Sequence, residues 1–375
     1  MAHSSILRIL HVDPERGLGG GERQVLGLMR HLAAAGHHQA VACDPDGRLV
    51  GEAATLGVGT RALRVRNHAD VLAGRRLARL LASEPYDIVH FHTARAHALV
   101  PFLRFRHQPC RVVTRRMDYP LRGAWYARWL YNRGVDAVVA ISEGVRAVLV
   151  AGGVDPTRIE VIRSGVEIED FAATDEKRAS ARDALGLDDT VAMIAVVAAL
   201  EYRKGHDVLL EAVAGIADPT IRLCFAGEGS RMEELRKRAL DLALADRVAF
   251  LGRIDDVRPI LAAADVVAMP SRQEGLGVAV LEAMAAGRPV VASAVGGLPE
   301  AVGRDAGILV PPEDVLALRA ALERVLGDRA LGVRLAIAAR KRVRAGFAMV
   351  GVAQAMLGVY DRVMAETHGH DTPAS

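Results

Sequence analysis

Runs of mostly apolar, β-branched residues recur along the chain, and between them lie longer stretches whose apolar positions repeat every three or four residues. Continuous apolar runs mark strands buried on both faces, and the longer repeat marks amphipathic helices that cover them. The alternation predicts βα units winding parallel sheets. In the first half the strands read ILRILHV (6–12), QAVACD (39–44), TRALRV (60–65), DIVHFH (87–92), RVVTRR (111–116), AVVAIS (137–142) and IEVIRSGV (159–166). A second series reads VAMIAVVAAL (191–200), IRLCFAG (221–227), VAFLG (248–252), DVVAMPS (265–271), PVVASAV (289–295) and GILVP (307–311).

The charged stretch 167–189 between the two series has no strand pattern and reads as a linker with one exposed helix. Alanine-rich helical sequence from 314 to 366 is more than one domain needs to finish, so a piece of it is expected to cross back onto the first domain. HGHDTPAS (368–375) reads as a disordered tail. The expected domains are 1–170 and 171–350, followed by a crossing helix and tail in 351–375. Both belong to the α/β class with doubly wound sheets, in which ligands bind beyond the carboxyl ends of the strands.

A length of 375 residues agrees with two domains, and 51% hydrophobic with 25% charged residues is the composition of a globular protein with large cores. No apolar run reaches the roughly 20 residues that span a bilayer, and MAHSSILRILHV lacks a basic leader, so a cytoplasmic location is expected. Cys43, Cys110 and Cys224 sit in or beside apolar runs and read as reduced core residues. Residues 1–170 carry 23 Arg, no Lys and 17 acids, 23 − 17 = +6, whereas the remainder carries 25 − 28 = −3. The basic first half reads either as a solvated arginine-rich surface or as one that attracts anionic lipid or a phosphorylated partner, while 4% aromatic residues are too few to argue for nucleic acid.

The densest chemistry lies in PSRQEGLGVAVLEAMAAGRPVV (270–291). Gly275 and Gly277 let backbone approach a ligand, and the helix that follows directs free N–H groups and its positive dipole end at an anion. Glu274 and Glu282 could each accept hydrogen bonds from vicinal hydroxyls, one on a ribose and one on a sugar ring. Glu-x7-Glu by itself also describes two solvated carboxylates. Arg203, Lys204 and Gly205 read as the start of a helix, where cations oppose the dipole unless an anion is bound. Gly227 and Gly229 in AGEGSRMEEL (226–235) suit either a packed nucleotide or an ordinary βα turn.

The succession KGHDVLLEA (204–212), AGEG, VAFLGRIDDV (248–257), DVVAMPSRQEGLG (265–277), LEAMAAGRPVV (281–291) and VGGLPEAV (295–302) closely resembles family 4 of the retaining glycosyltransferases. The resemblance spans nearly the whole chain. It implies a GT-B fold, two Rossmann-like domains facing a central cleft, the second holding a nucleotide-diphosphate sugar and the first an acceptor. By that resemblance Lys204 meets the donor diphosphate, Glu274 the transferred sugar and Glu282 the ribose, with Ser271, Gly275, Leu276 and Gly277 completing the cradle. GLGGGERQV (17–25) resembles the family's glycine-rich loop, bringing Gly20 and Gly21 to the diphosphate across the cleft. No cofactor and no metal are implied.

Two departures stand out. Members often carry Gly-Arg five or six positions before the lysine, where this chain has Ala198 and Ala199, so Arg203 is the candidate replacement. Many also place a His just after the fifth strand, where this chain reads TRRMDYPLRG (114–123), and Arg115 or Arg116 would then hold an anionic acceptor such as phosphorylated lipid A core or another envelope glycan. His90 and His92 share one strand face while His97 falls on the next helix, so a metal shell is incomplete. His92 at the strand's carboxyl end is instead a candidate contact for acceptor or sugar.

In GAWYARWLYNRG (123–134), Trp125 and Trp129 share a helical face with Arg122, Arg128 and Arg133 nearby. That face either packs in a core or inserts shallowly at the inner surface of the cytoplasmic membrane. The expected activity is transfer of a glycosyl group to an acceptor hydroxyl with retention, in lipopolysaccharide-type envelope synthesis. The alternatives are an NAD-dependent oxidoreductase, for which Gly17, Gly19, Gly20 and Gly21 lack the GxGxxG spacing, and a non-catalytic sugar- or lipid-binding relative.

Overall fold

A computed structural model of the chain describes residues 6–103, 109–121, 123–188 and 190–369. They form two compact units, one of the described residues up to 165 together with 349–369 and the other of those in 166–348. Each is built on a parallel sheet covered by helices, as the alternating pattern predicts.

The first sheet has seven strands: β1 (Arg8–Asp13), β2 (His38–Cys43), β3 (Gly59–Ala62), β4 (Ile88–Phe91), β5 (Cys110–Arg115), β6 (Ala137–Ala140) and β7 (Ile159–Val161). Their order is β3-β2-β1-β4-β5-β6-β7, so the winding reverses between β1 and β4. Register sets His11 beside His90, and the backbone N–H of His92 donates to Val12 O. Because alternate residues share a face, His11, Asp13, His90 and His92 line up on one side, joined by Thr114 and Arg116 from the neighbouring strand.

Two helices cover that face. The helix Gly20–Ala34 and the last helix, Met349–Gly369, bury Leu28, Leu32, Met356 and Tyr360 against Ile9, Ile88 and Val112. Each fully buried aliphatic side chain contributes about 1.5–3 kcal/mol. The last helix is thus a layer of the first unit, and Arg362 also pairs with Glu160 there. The part of the expected tail in 370–375 lies outside the described residues.

The second sheet has six strands: β8 (Met193–Val197), β9 (Arg222–Ala226), β10 (Val248–Gly252), β11 (Val266–Met269), β12 (Val290–Ser293) and β13 (Ile308–Val310). Their order is β10-β9-β8-β11-β12-β13, with the reversal between β8 and β11. The linker helix, Asp175–Ala184, is less exposed than its charged sequence suggests. Arg178 and Arg182 reach Asp265 and the carbonyls of Ala262 to Ala264, which end the short helix Arg258–Ala263. Cations at a helix C-terminus satisfy its orphan carbonyls. The three cysteines are free and buried, and among the described residues no helix is long and apolar enough to cross a membrane.

Candidate functional site

Each unit gathers polar side chains where its winding reverses, the place where a crevice opens between diverging connections. In the second unit the groups come from the loops after β8 and β11. Tyr202–Lys204 form a single tight turn and Gly205, at φ +67°, caps the helix His206–Ala214. A Cβ on Gly205 would lie 1.9 Å from the Pro270 carbonyl oxygen, so only glycine lets the two loops touch. Arg203 and Lys204 therefore lie in a turn of their own ahead of the helix, and not at the helix start that the sequence suggests. The buried Nζ of Lys204 is ion-paired with Oε2 of Glu274, and the Ser271 hydroxyl approaches the same oxygen at 3.5 Å.

A charged network locks these loops together. Arg272 donates to both carboxylate oxygens of Asp207 at 2.9 Å, to Glu313 at 2.9 Å and to Tyr202 O at 2.8 Å, with its guanidinium 4.1 Å from the Tyr202 ring centroid. Arg231 reaches Asp207 at 3.2 Å from the β9 loop. Burial alone would raise the Asp207 pKa, but the two guanidinium groups outweigh it and hold the carboxyl well below its ordinary range. Asp207 and Arg272 had no sequence signal of their own, because nothing along the chain pairs positions 65 apart.

Gly277, at φ +90°, opens the helix Val278–Ala285, in which Glu282 is buried. The Gly297 amide donates to the Glu274 carbonyl at 3.2 Å and Leu298 packs on Gly277, so the 294–298 loop backs the turn that carries Gly275 and the buried Leu276. Gly227 and Gly229 face backbone: a Cβ would fall 1.9 Å from Ala198 O on the first and 2.4 Å from Leu200 O on the second. Close loop packing already requires both glycines. Arg203 ties its Nε to Glu201 at 2.8 Å, and among the described side chains it is the second cation beside Lys204 in this turn.

In the first unit the site is built mainly from neutral groups around the buried Arg116, where the second is built from ion pairs. Gly19 caps the helix Gly20–Ala34, and the Glu22 carboxylate accepts from the Gly19 amide at 2.6 Å. Asp13, at the end of β1, is 1% exposed, and its Oδ2 has no hydrogen-bond partner. Burial, then the Glu22 charge, raises its pKa to about 7, against the pull of Arg116. Arg116 follows β5 and leaves a buried Nε without a partner. Gly21 lies beside it, an added Cβ there being 3.6 Å from Arg116 Cδ.

Arg115, its neighbour in sequence, turns the other way and donates to Met117 O and Tyr119 O, both at 2.9 Å. Arg116 therefore joins His92, and Arg115 does not.

His11, His90 and His92 cluster with ligating atoms within 4.8 Å of one another. Five of their six ring nitrogens are already hydrogen-bonded. His90 contacts Tyr360 Oη and Thr114 Oγ1, each at 2.7 Å, His11 contacts Gln39 Oε1 at 3.0 Å, and His11 Nδ1 lies 2.9 Å from His92 Nε2. A cation here would have to break that chain, so the arrangement is a hydrogen-bonded relay. Burial pushes all three pKa values down, His11 to about 4. His97 sits apart, buried edge-on against Tyr131 at 4.6 Å.

In the helix Ala124–Asn132 the Trp125 side chain is 78% exposed, so core packing does not account for it, whereas Trp129 is half-buried and stacks on Tyr126 at 6.3 Å. Arg122 lies outside the described residues.

Comparison with known proteins places this geometry. Residues 177–342 match the family model for glycosyl transferases group 1, and residues 18–170 match that for glycosyltransferase family 4. The chain is 33% identical over 314 residues to a D-inositol 3-phosphate glycosyltransferase of Mycobacterium marinum, covering 76% of this chain and 66% of that protein. It is 38% identical over 224 residues to a GDP-mannose-dependent monoacylated alpha-(1-6)-phosphatidylinositol monomannoside mannosyltransferase of Corynebacterium glutamicum, covering 56% and 58%. The chain spans about half to two thirds of the length of the curated relatives it matches. The solved structure of HepE from Anabaena, in complex with UDP and glucose, shares the fold at a TM-score of 0.86 and 21% identity, over 95% of this chain and 100% of that one.

Proposed function

From the premise that this chain belongs to the family 4 glycosyltransferases of GT-B type, we propose that it moves a sugar from a nucleotide-diphosphate donor to an acceptor hydroxyl with retention. The observation that carries this reading is the buried Lys204–Glu274 pair at the winding reversal of the second sheet, under a helix N-terminus opened by Gly277. A nucleoside diphosphate leaving the sugar gathers charge on its β-phosphate. Lys204, the N–H groups around Leu276 and Gly277, and Arg203 stabilise that charge more in the transition state than in the ground state.

Glu274 holds the transferred sugar and Glu282 the ribose, with Ser271 supporting Glu274 and with Gly227, Gly229 and Gly275 lining the donor. The bond from the anomeric carbon to the phosphate oxygen breaks, and the acceptor oxygen bonds on the same face. The acceptor proton passes to the departing phosphate oxygen, so no separate base is needed.

His92 and Arg116 are the acceptor groups on the first unit. The relatives are named for acceptors built on phosphorylated inositol, which favours a phosphate-bearing polyol or lipid over a lipopolysaccharide core. Arg116, beside a carboxyl that keeps its proton to about pH 7, suits that phosphate. The exposed Trp125 supports docking at an anionic membrane face.

Calorimetry with UDP, GDP, ADP and NAD, followed by mass and anomeric analysis of products from UDP- or GDP-sugars and D-inositol 3-phosphate, tests the proposal. Expected are nucleoside-diphosphate binding and a product heavier by one sugar with the donor's anomeric configuration. Binding of NAD alone would replace it with the oxidoreductase reading.

A further inference from the structure

The stripe of polar groups under the first unit's covering helices is more than a set of satisfied core residues, because the proton positions along it can be worked out. The Gln39 amide nitrogen donates to Met29 O at 3.0 Å, which fixes the amide orientation, since the flipped form would set two carbonyl oxygens against each other. Oε1 of Gln39 therefore faces His11 Nε2 at 3.0 Å as an acceptor, and His11 must carry its proton on Nε2. With a pKa near 4, His11 is neutral around pH 7, so its Nδ1 is a bare lone pair. That lone pair lies 2.9 Å from His92 Nε2, which must then donate.

His92 is in turn held neutral by burial, by the His90 and His11 rings and by the Arg116 charge. Its single proton is used on Nε2, so Nδ1 is left unprotonated, buried and without a partner, in a side chain that is 2% exposed. His90, with ring centroids 3.9 Å away and both nitrogens taken by Tyr360 and Thr114, holds the His92 ring in place.

We propose that Gln39 and His11 are positioning residues that fix His92 as its Nε2–H tautomer and so present the Nδ1 lone pair to a hydroxyl of the bound sugar or acceptor. A buried lone pair with no donor carries a desolvation cost that such a hydroxyl relieves. The same burial that disfavours the imidazolium rules out holding a transferred proton, so His92 orients the hydroxyl and does not deprotonate it. The tautomer rests on the hydrogen-bond geometry together with the neutrality of the two buried rings, whereas the identity of the ligand rests on the transferase reading above.

The test is NMR of the full-length protein with 15N-labelled histidine rings, using UDP-glucose and D-inositol 3-phosphate as probes. In the free protein His92 should show an unprotonated Nδ1 and a protonated Nε2, and the Nδ1 signal should move when both probes are added. Gln39→Glu should pull a second proton onto His11, reverse the His92 tautomer and lower kcat roughly tenfold, the scale of one hydrogen bond, with KM for the donor little changed. A wild-type His92 protonated on Nδ1 overturns the relay whether or not the protein is a transferase. A correct tautomer whose Nδ1 signal stays still while the probes perturb other resonances overturns the ligand contact. Failure of both probes to bind counts against the transferase reading and leaves the tautomer assignment to be judged on the free protein.

Discussion

The two sheets face the same problem, how to keep polar groups working at the dry edge of a parallel sheet, and answer it in opposite ways. The second unit uses full charges: Lys204 with Glu274, and Asp207 with Arg231 and Arg272, each buried or half-buried ion matched by an opposite one. The first uses mainly neutral groups: His11, His90 and His92 without protons to spare, and Asp13 with its proton retained to about pH 7, set around the buried Arg116. Paired ions hold loops from different strands in one arrangement, because removing either partner strands the other. Neutral rings cannot grip so strongly, but their tautomers carry direction along a chain of hydrogen bonds. The ionic edge suits a diphosphate, and the mainly neutral edge suits hydroxyls, with the buried Arg116 beside it suited to a phosphate.

The contrast breaks most severely if Lys204 is removed. Lys204→Ala should cut turnover by roughly 10² or more, by analogy with loss of one oxyanion donor, and an unchanged rate on a verified substrate pair would remove Lys204 from the chemistry. Asp13 tests the neutral side through stability. The unfolded chain releases this proton near pH 3.8 and the folded one near 7, so the unfolded state gains by ionising across that window and stability falls as pH rises through it. Asp13→Asn should therefore be more stable than wild type at pH 8 by on the order of 2–4 kcal/mol, with the gain gone at pH 3.5. Denaturation curves showing the same difference at both pH values would mean Asp13 is ionised in the fold.

Arg272→Ala should cost about 1–3 kcal/mol and raise KM for the donor more than it lowers kcat, because it loosens loops and touches no reacting atom. Equal loss in kcat and kcat/KM would place Arg272 in the transition state instead. The smallest effect belongs to the surface. Trp125→Ala should change stability by no more than about 0.5 kcal/mol yet weaken sedimentation with anionic liposomes, and undiminished sedimentation would discard the membrane face.

Much of the architecture is written in the strands themselves. All thirteen fall on the strand readings, β3 only through its overlap with TRALRV and the rest as largely apolar runs, with ends that overshoot because the residues leaving a buried strand are often still apolar, as at Ala198 to Leu200. The relay is not visible in that way. Gln39, His11, His90 and Thr114 come from four strands, and only the pairing register sets them on one face. Arg115 and Arg116 show the same limit at the scale of one residue: parity along β5 sends one to loop carbonyls and the other towards His92, and the sequence prints them side by side. Motif spacing fares better in the second unit, since Lys204 and Glu274 each sit in a recognisable turn, although their pairing across 70 positions does not show.

The last helix gives the first unit an unusual birth order. Its sheet is complete by β7, but Tyr360, which holds His90, and Met349, which packs on Gly27, arrive only after residues 166–348 have been made. At about 5–20 residues per second, roughly ten to forty seconds of synthesis separate the two events. Through that interval the second unit, a single unbroken stretch of chain, is free to fold, while the first waits with one face of its sheet covered only by the helix Gly20–Ala34.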